Sequence, residues 1–255
     1  MNKVLGGQFM YKETWKNYKE SFNFILPFIL VKVAFEIIVF AFTKNMSFDK
    51  FRFIGQEGII TGSFLANRGV IVKNIIELVF NLFLVSLFEA FLIVIMKALL
   101  NKEDINYKEK FKESLGFYLR YLGLTIIMYA ILLGIVFLGI FAFIVPFIAI
   151  FLLGAAIYFE IALMPCTAHL VYHDTTPEIA LQKGRALGKK YFWKILLFVI
   201  VMGVIGAVVD VYENSNILIY SLYDFLKVNM EMFLIMFTVA ICKKEDKKEE
   251  VLIRV

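Results

Sequence analysis

Charged residues, cysteine and proline are all scarce in this chain of 255 residues. Asp, Glu, Lys and Arg make up 19% of it, whereas an ordinary soluble domain has about 25%. The apolar and aromatic residues AVILMFWYC make up 61%. This composition excludes disordered tails, collagen-like fibres and nucleic-acid-binding domains, because none of these tolerates so much apolar surface. The two cysteines also exclude a secreted disulfide scaffold.

Long apolar stretches are what the chain has instead, with 28 Phe and a mean hydropathy of +0.79. A helix crosses the hydrocarbon core of a bilayer with about 20 mostly apolar residues. Six stretches meet this requirement, and they cover approximately residues 22–42, 75–99, 121–143, 147–172, 192–212 and 217–242. We therefore predict an all-α, polytopic membrane bundle of six transmembrane helices in three hairpins. Pro146 is the expected break between the third and fourth spans, and residues 213–216 are the expected turn between the last two.

The basic residues predict the orientation of the bundle, since Lys and Arg concentrate in short cytoplasmic loops. Of the 27 Lys and Arg, 20 lie before span one, around the connections between spans two and three and between spans four and five, or after span six. Five lie around the first loop on the opposite side. We therefore expect a multi-pass protein of the cell (inner or plasma) membrane with both termini in the cytoplasm.

The cytoplasmic segments predict amphipathic helices at the membrane interface. Residues 11–16 (YKETWK) and 107–112 (YKEKFK) share a pattern, and Pro177 with Glu178 marks a helix start before span five. Aromatic and basic residues in such segments lie at the level of the lipid headgroups. We expect one membrane domain over residues 1–255, with an interfacial helix at 1–21, the bundle at 22–242 and a charged cytoplasmic tail at 243–255.

This order of features resembles a known family. The amphipathic start with Trp15, the three hairpins, the corner Ile144-Val145-Pro146-Phe147 and the segment 178–196 resemble the membrane-domain family of glycerophosphoryl diester phosphodiesterases and its stand-alone six-helix relatives. The similarity covers residues 11–242. It implies a membrane bundle without catalytic activity, because the phosphodiesterase barrel of the fused members has no counterpart in this chain.

Ionisable residues inside the predicted spans are the candidate site. Each costs roughly 2.5–3.5 kcal/mol at the centre of a transmembrane helix, so it is expected to face the bundle interior or a partner. Glu89, Glu160 and Glu231 lie 12 or 13 residues before the cytoplasmic ends of spans two, four and six, which places them at one depth. We predict a polar bundle interior that binds a substrate or an ion, formed by Glu89, Glu160, Glu231, Glu36, Lys32 and Asp224. The alternative is a structural network of interhelical hydrogen bonds.

A second pattern joins both histidines to one cysteine. Cys166, His169 and His173 have the spacing i, i+3, i+7, which places their side chains on one side of a helix. These are ligand types for a transition metal. The alternative is histidine at the interface without a metal.

Three hypotheses of function remain open. The first is a non-enzymatic membrane protein that handles lipid-derived or small molecules, or organises the membrane, through an internal polar cavity. The second is a proton- or cation-coupled secondary transporter that uses the midplane carboxylates, and the third is a membrane-embedded metal enzyme. The first two need no cofactor. The expected partners are membrane lipids and a small molecule or proton, and no nucleic acid.

Overall fold

The computed structural model describes residues 2–44, 81–139, 146–212 and 217–253. All regular structure in these ranges is helical, which confirms the predicted all-α class. A short π-helical turn, Asn81–Val85, precedes the third α-helix. The α-helices are α1 (Asn2–Glu20), α2 (Phe22–Lys44), α3 (Ser86–Asn101), α4 (Tyr107–Gly139), α5 (Pro146–His173), α6 (Pro177–Lys190), α7 (Phe192–Tyr212) and α8 (Ile217–Ile253).

Four helical segments are long and apolar enough to cross a membrane: Leu82–Asn101, Tyr107–Ile135, Ile150–His173 and Ser221–Asp246. They match the second, third, fourth and sixth predicted spans. Helices α2 and α7 are apolar over the shorter described lengths Phe22–Phe35 and Phe192–Val201. The protein is therefore helical and membrane-embedded. The predicted turn at 213–216 and the first loop lie outside the described residues.

Two of the three segments predicted as interfacial helices form separate helices, and the third does not. Helices α1 and α6 are separate from the apolar helices that follow, and the breaks fall at Ser21 and Tyr191. By contrast, the segment that begins at Tyr107 is continuous with the apolar part of α4, so no separate helix precedes this span. No proline interrupts residues 107–139, which is consistent with a continuous helix.

Helix α1 is attached to the bundle by aromatic side chains. The ring of Tyr11 stacks on Phe237 of α8 with centroids 5.1 Å apart, and its hydroxyl donates a hydrogen bond to the carbonyl of Lys194 at 3.1 Å. Trp15 contacts Phe233 edge to face, with centroids 5.6 Å apart. These contacts hold α1 against the side of α8.

Lysine side chains cap the ends of α3 and α5 on the predicted cytoplasmic side. Lys97 donates to the carbonyl of Val171 near the end of α5 at 3.3 Å, and Lys243 donates to the carbonyl of Leu100 near the end of α3. The last carbonyls of a helix have no partner within it and carry partial negative charge, so a lysine stabilises them. These contacts bring the ends of α3, α5 and the polar part of α8 to one level.

The connection between α3 and α4 is held by an ion pair. Lys110 lies 2.7 Å from the Glu103 carboxylate and 3.1 Å from Glu113. The hydrogen bond from Lys110 holds the pKa of the Glu103 carboxyl below its usual value. The Glu103 carboxyl therefore stays ionised near neutral pH and remains paired with Lys110 at the start of α4.

Helices α5 and α6 approach each other closely because α6 has glycine at the contact. A Cβ atom on Gly188 would lie 2.2 Å from the carbonyl oxygen of Ala162, and one on Gly184 would lie 2.4 Å from the Cα of Cys166. Small residues permit this backbone-to-backbone packing. The contact fixes α6 against the predicted cytoplasmic half of α5.

We predict that Gly188→Ala destabilises the protein by about 1–3 kcal/mol or more, because the new methyl group overlaps backbone that has no room to move. The measurement is equilibrium unfolding of the purified protein in mixed detergent micelles. Gly116→Ala in α4 is the control, since nothing lies within 4 Å of its Cβ position. Equal stability of the two variants would contradict the close contact.

Candidate functional site

Polar side chains from separate helices meet inside the bundle. Lys32 of α2 forms an ion pair with Glu231 of α8, 199 residues further along the chain. Only 23% of the Lys32 side chain and 20% of the Glu231 side chain are exposed. The surrounding residues are apolar core, including Ile29, Val33 and Met232.

A second carboxylate lies beside this ion pair. Glu89 of α3 accepts a hydrogen bond of 3.0 Å from the hydroxyl of Tyr121 in α4, and Tyr121 is only 2% exposed. The charges of Lys32 and Glu231 both act on Glu89. We call Lys32, Glu89, Tyr121 and Glu231 the midplane cluster.

A neighbouring hydrogen-bond group joins α1 to the same part of α8. The hydroxyl of Tyr18 donates to the side-chain oxygen of Asn229 at 3.1 Å and lies 3.2 Å from its backbone carbonyl. The Asn229 amide in turn donates to the carbonyl of Phe225 at 2.8 Å. Burial raises the pKa of Tyr18 to about 12, so its hydroxyl remains a donor at neutral pH.

Charged side chains continue along α8 from the cluster. Asp224 lies seven residues before Glu231, which is two turns or about 10 Å along the helix, and it is 1% exposed. Lys227 lies between them and is partly buried. Spacings of three, four and seven residues place all three side chains along one side of α8.

The cluster can hold a proton. It brings two carboxylates and one ammonium into a region of low dielectric, where an unbalanced charge is costly. With one carboxyl protonated, the carboxylate of the other balances the charge of Lys32. Tyr121 supplies a hydroxyl that can donate to Glu89 when the carboxyl is ionised or accept from it when the carboxyl is protonated.

The structure brings together three of the predicted site residues, Lys32, Glu89 and Glu231. Asp224 is buried on the same helix as Glu231 but two turns away. The side chain of Glu36 lies outside the described residues.

The prediction that Glu160 faces the bundle interior is wrong. Glu160 is exposed and shares one side of α5 with the exposed residues Leu153 and Ile157. Helix α5 buries its other side, which includes Ala162 and Cys166, against α6. The sequence indicated the depth of Glu160 along its helix but not the direction of its side chain.

The predicted three-ligand metal site is not formed. No group of three or more His, Cys, Asp or Glu side chains among the described residues is arranged to hold a metal ion. The Cys166 thiol is directed to the carbonyl of Leu181 in α6, at 3.8 Å. The rings of His169 and His173 lie against each other, with centroids 4.3 Å apart. The close approach of Gly184 to Cys166 explains why the cysteine belongs to the α5–α6 contact.

Sequence reasoning missed Tyr121, Tyr18 and Asn229. Their signal was weak, because a tyrosine near the end of a span is typical of the membrane interface. Asn229, two residues before Glu231 in an apolar span, was the clearest available sign of an interhelical hydrogen bond.

Comparisons with family models, with curated proteins and with solved structures found no match to this chain.

We predict that Lys32→Met destabilises the protein by about 3–5 kcal/mol, because it leaves Glu231 buried without its partner. The double variant Lys32→Met/Glu231→Leu should recover most of this loss, since it removes both charges. Equilibrium unfolding of the single and double variants measures the coupling.

Lys12→Met is the matched control, because Lys12 is an exposed lysine of α1. If Lys32→Met cost no more stability than Lys12→Met, the ion pair would not contribute to folding.

Proposed function

We propose that the protein is a non-enzymatic, proton-coupled carrier of a small or lipid-derived molecule, in which the midplane cluster takes up and releases one proton. The observation that carries this proposal is the ion pair of Lys32 and Glu231 beside the hydrogen bond of Glu89 and Tyr121. Ionisable residues inside a membrane bundle are costly, and they commonly mark proton or substrate pathways.

The connectivity of the cluster supports movement of the bundle with protonation. Its residues come from α2, α3, α4 and α8, so a change of charge on one carboxyl acts on four helices at once. When the cluster is protonated, one carboxyl becomes neutral and the Lys32 ammonium is balanced by the other. Release of the proton leaves an excess negative charge, which favours a different arrangement of the helices or entry of a cation.

The row of charges on α8 supports a path for the proton. Asp224 and Lys227 lie on the side of α8 that also carries Glu231, in the direction of the predicted external end. Protons move between ionisable groups that lie within reach of each other or of shared water. Asp224 is therefore a second group that can carry the proton between the cluster and the external side.

The proposal includes the membrane topology. Six spans, with α2 and α7 completing three hairpins, give an even number of crossings and place both termini in the cytoplasm of a cell with the protein in its plasma membrane. The cap-forming lysines Lys97 and Lys243 agree with a cytoplasmic position for the ends of α3 and α5. The resemblance to the membrane-domain family of glycerophosphoryl diester phosphodiesterases fits this topology and remains a prediction.

The test follows protons directly, because the proposal includes that the cluster exchanges its proton with both sides of the membrane even when no other molecule is bound. The full-length protein is reconstituted into vesicles that contain a pH-sensitive dye, and a potassium diffusion potential is imposed with valinomycin. We expect the vesicles to acidify faster than protein-free vesicles. Glu89→Gln should reduce the rate to that of protein-free vesicles, because the amide cannot exchange a proton.

Glu160→Gln is the matched control, because it removes an intramembrane carboxyl at a similar depth that lies outside the cluster. It should leave the rate at the wild-type value. If the wild-type protein does not exceed protein-free vesicles, or if Glu89→Gln acidifies at the wild-type rate, the cluster is a structural network and the proposal fails.

A further inference from the structure

A separate polar cavity lies at the predicted cytoplasmic end of the bundle. It has a volume of about 270 Å³ and is formed between the end of α5, the middle of α6 and the polar part of α8. Its lining residues are His169, His173, Thr175, Lys183, Ala186, Leu187, Glu245 and Asp246. None of them belongs to the midplane cluster, so the cavity is independent of the proposed function.

Two of the residues that line this cavity each carry a buried polar atom with an unmet hydrogen bond. Within the described part of the chain, neither Nδ1 of His169 nor the hydroxyl of Thr175 has a hydrogen-bond partner, and both atoms are buried. His169 is 4% exposed. A buried polar group without a partner is unfavourable, so a ligand that supplies the partner is bound more tightly.

Both acidic residues that line the cavity already have partners within the protein. Glu245 forms an ion pair with Lys190 and accepts a 2.7 Å hydrogen bond from the hydroxyl of Tyr191. Asp246 lies 3.4 Å from Nδ1 of His173. The negative charge of Glu245 is therefore offset by Lys190, and Asp246 has the ring of His173 beside it.

Lys183 supplies positive charge that is not offset in this way. Its charge acts on His169, and no carboxylate of the described residues lies within ion-pairing distance of its ammonium. Lys183, His169 and Thr175 together offer an ammonium, an imidazole N–H and a hydroxyl. These are the donors that bind a phosphate group, which accepts several charge-assisted hydrogen bonds at once.

We propose that this cavity is a binding site for a phosphate group, held by Lys183, His169 and Thr175. The group belongs either to a soluble phosphate compound or to the headgroup of a phospholipid, since the end of a membrane helix is close to headgroup level. His169 and Thr175 position the oxygens by hydrogen bonds, and Lys183 neutralises the charge. Glu245 and Asp246 limit the site to a small anion by excluding further negative charge.

The first experiment is titration calorimetry of the full-length protein in detergent, with inorganic phosphate as the probe at constant ionic strength. We expect saturable binding by the wild-type protein. Lys183→Gln should weaken it about tenfold, because a charge-assisted hydrogen bond is lost. Lys183→Arg should restore most of the affinity, and Thr175→Val should weaken binding without loss of the lysine charge.

Lys189→Gln is the control for general loss of positive charge, since Lys189 is an exposed lysine on the same helix. It should bind phosphate as the wild type does. The absence of saturable binding by the wild-type protein, or equal affinities of Lys183→Gln and Lys189→Gln, would overturn the site.

The second experiment identifies the source of the phosphate group. The protein is placed in nanodiscs of phosphatidylcholine, with or without phosphatidic acid, and the titration with inorganic phosphate is repeated. Loss of phosphate binding in the presence of phosphatidic acid supports the site and assigns it to a lipid headgroup. Unchanged binding supports the site and assigns it to a soluble phosphate compound.

Discussion

The structure depends on the need to balance charge where water is absent. Lys32 on α2 and Glu231 on α8 are far apart in sequence, and each would be costly in lipid without the other. Their ion pair therefore fixes the first apolar helix against the last one. Once these two helices are joined, Glu89 and Tyr121 lie close to the pair, and the other helices pack around the same polar centre.

Apolar packing alone would not select this arrangement. The core contains many interchangeable aliphatic side chains, including Ile25, Ile95 and Leu163, and lipid chains offer a similar environment to each. The directional contacts are the polar ones: the midplane cluster, the hydrogen bonds of Tyr18 to Asn229, and the lysines that cap α3 and α5. Specificity in this bundle comes mainly from a small number of polar side chains.

The sequence predicted where the helices lie along the chain better than which side of each helix is buried. Runs of apolar residues predicted the all-α class and six spans, four of which correspond to helices long and apolar enough to cross a membrane. The prolines at 146 and 177 marked the starts of α5 and α6. Depth could also be predicted, because residues advance by about 1.5 Å along a helix, and the charge of Glu231 does act on Glu89. The direction of a side chain depends on which neighbours pack against its helix, and no feature of the sequence near Glu160 determined this.

For the histidine and cysteine pattern, too, the sequence predicted where the residues lie on the helix but not which contacts they make. The spacing of Cys166, His169 and His173 predicted a common side of α5, and these residues do face α6 and α8. Their chemistry was decided by contacts from other helices, since Gly184 brings α6 onto Cys166 and Asp246 approaches His173. The cavity beside His169 could not be predicted, because it is formed by residues more than 70 positions apart.

The absence of side chains at Gly184 and Gly188 has a mechanical consequence. Two backbones in direct contact cannot slide or roll past each other as helices separated by flexible side chains do. A force that tilts α6 at the membrane surface is therefore transmitted to α5 almost undiminished.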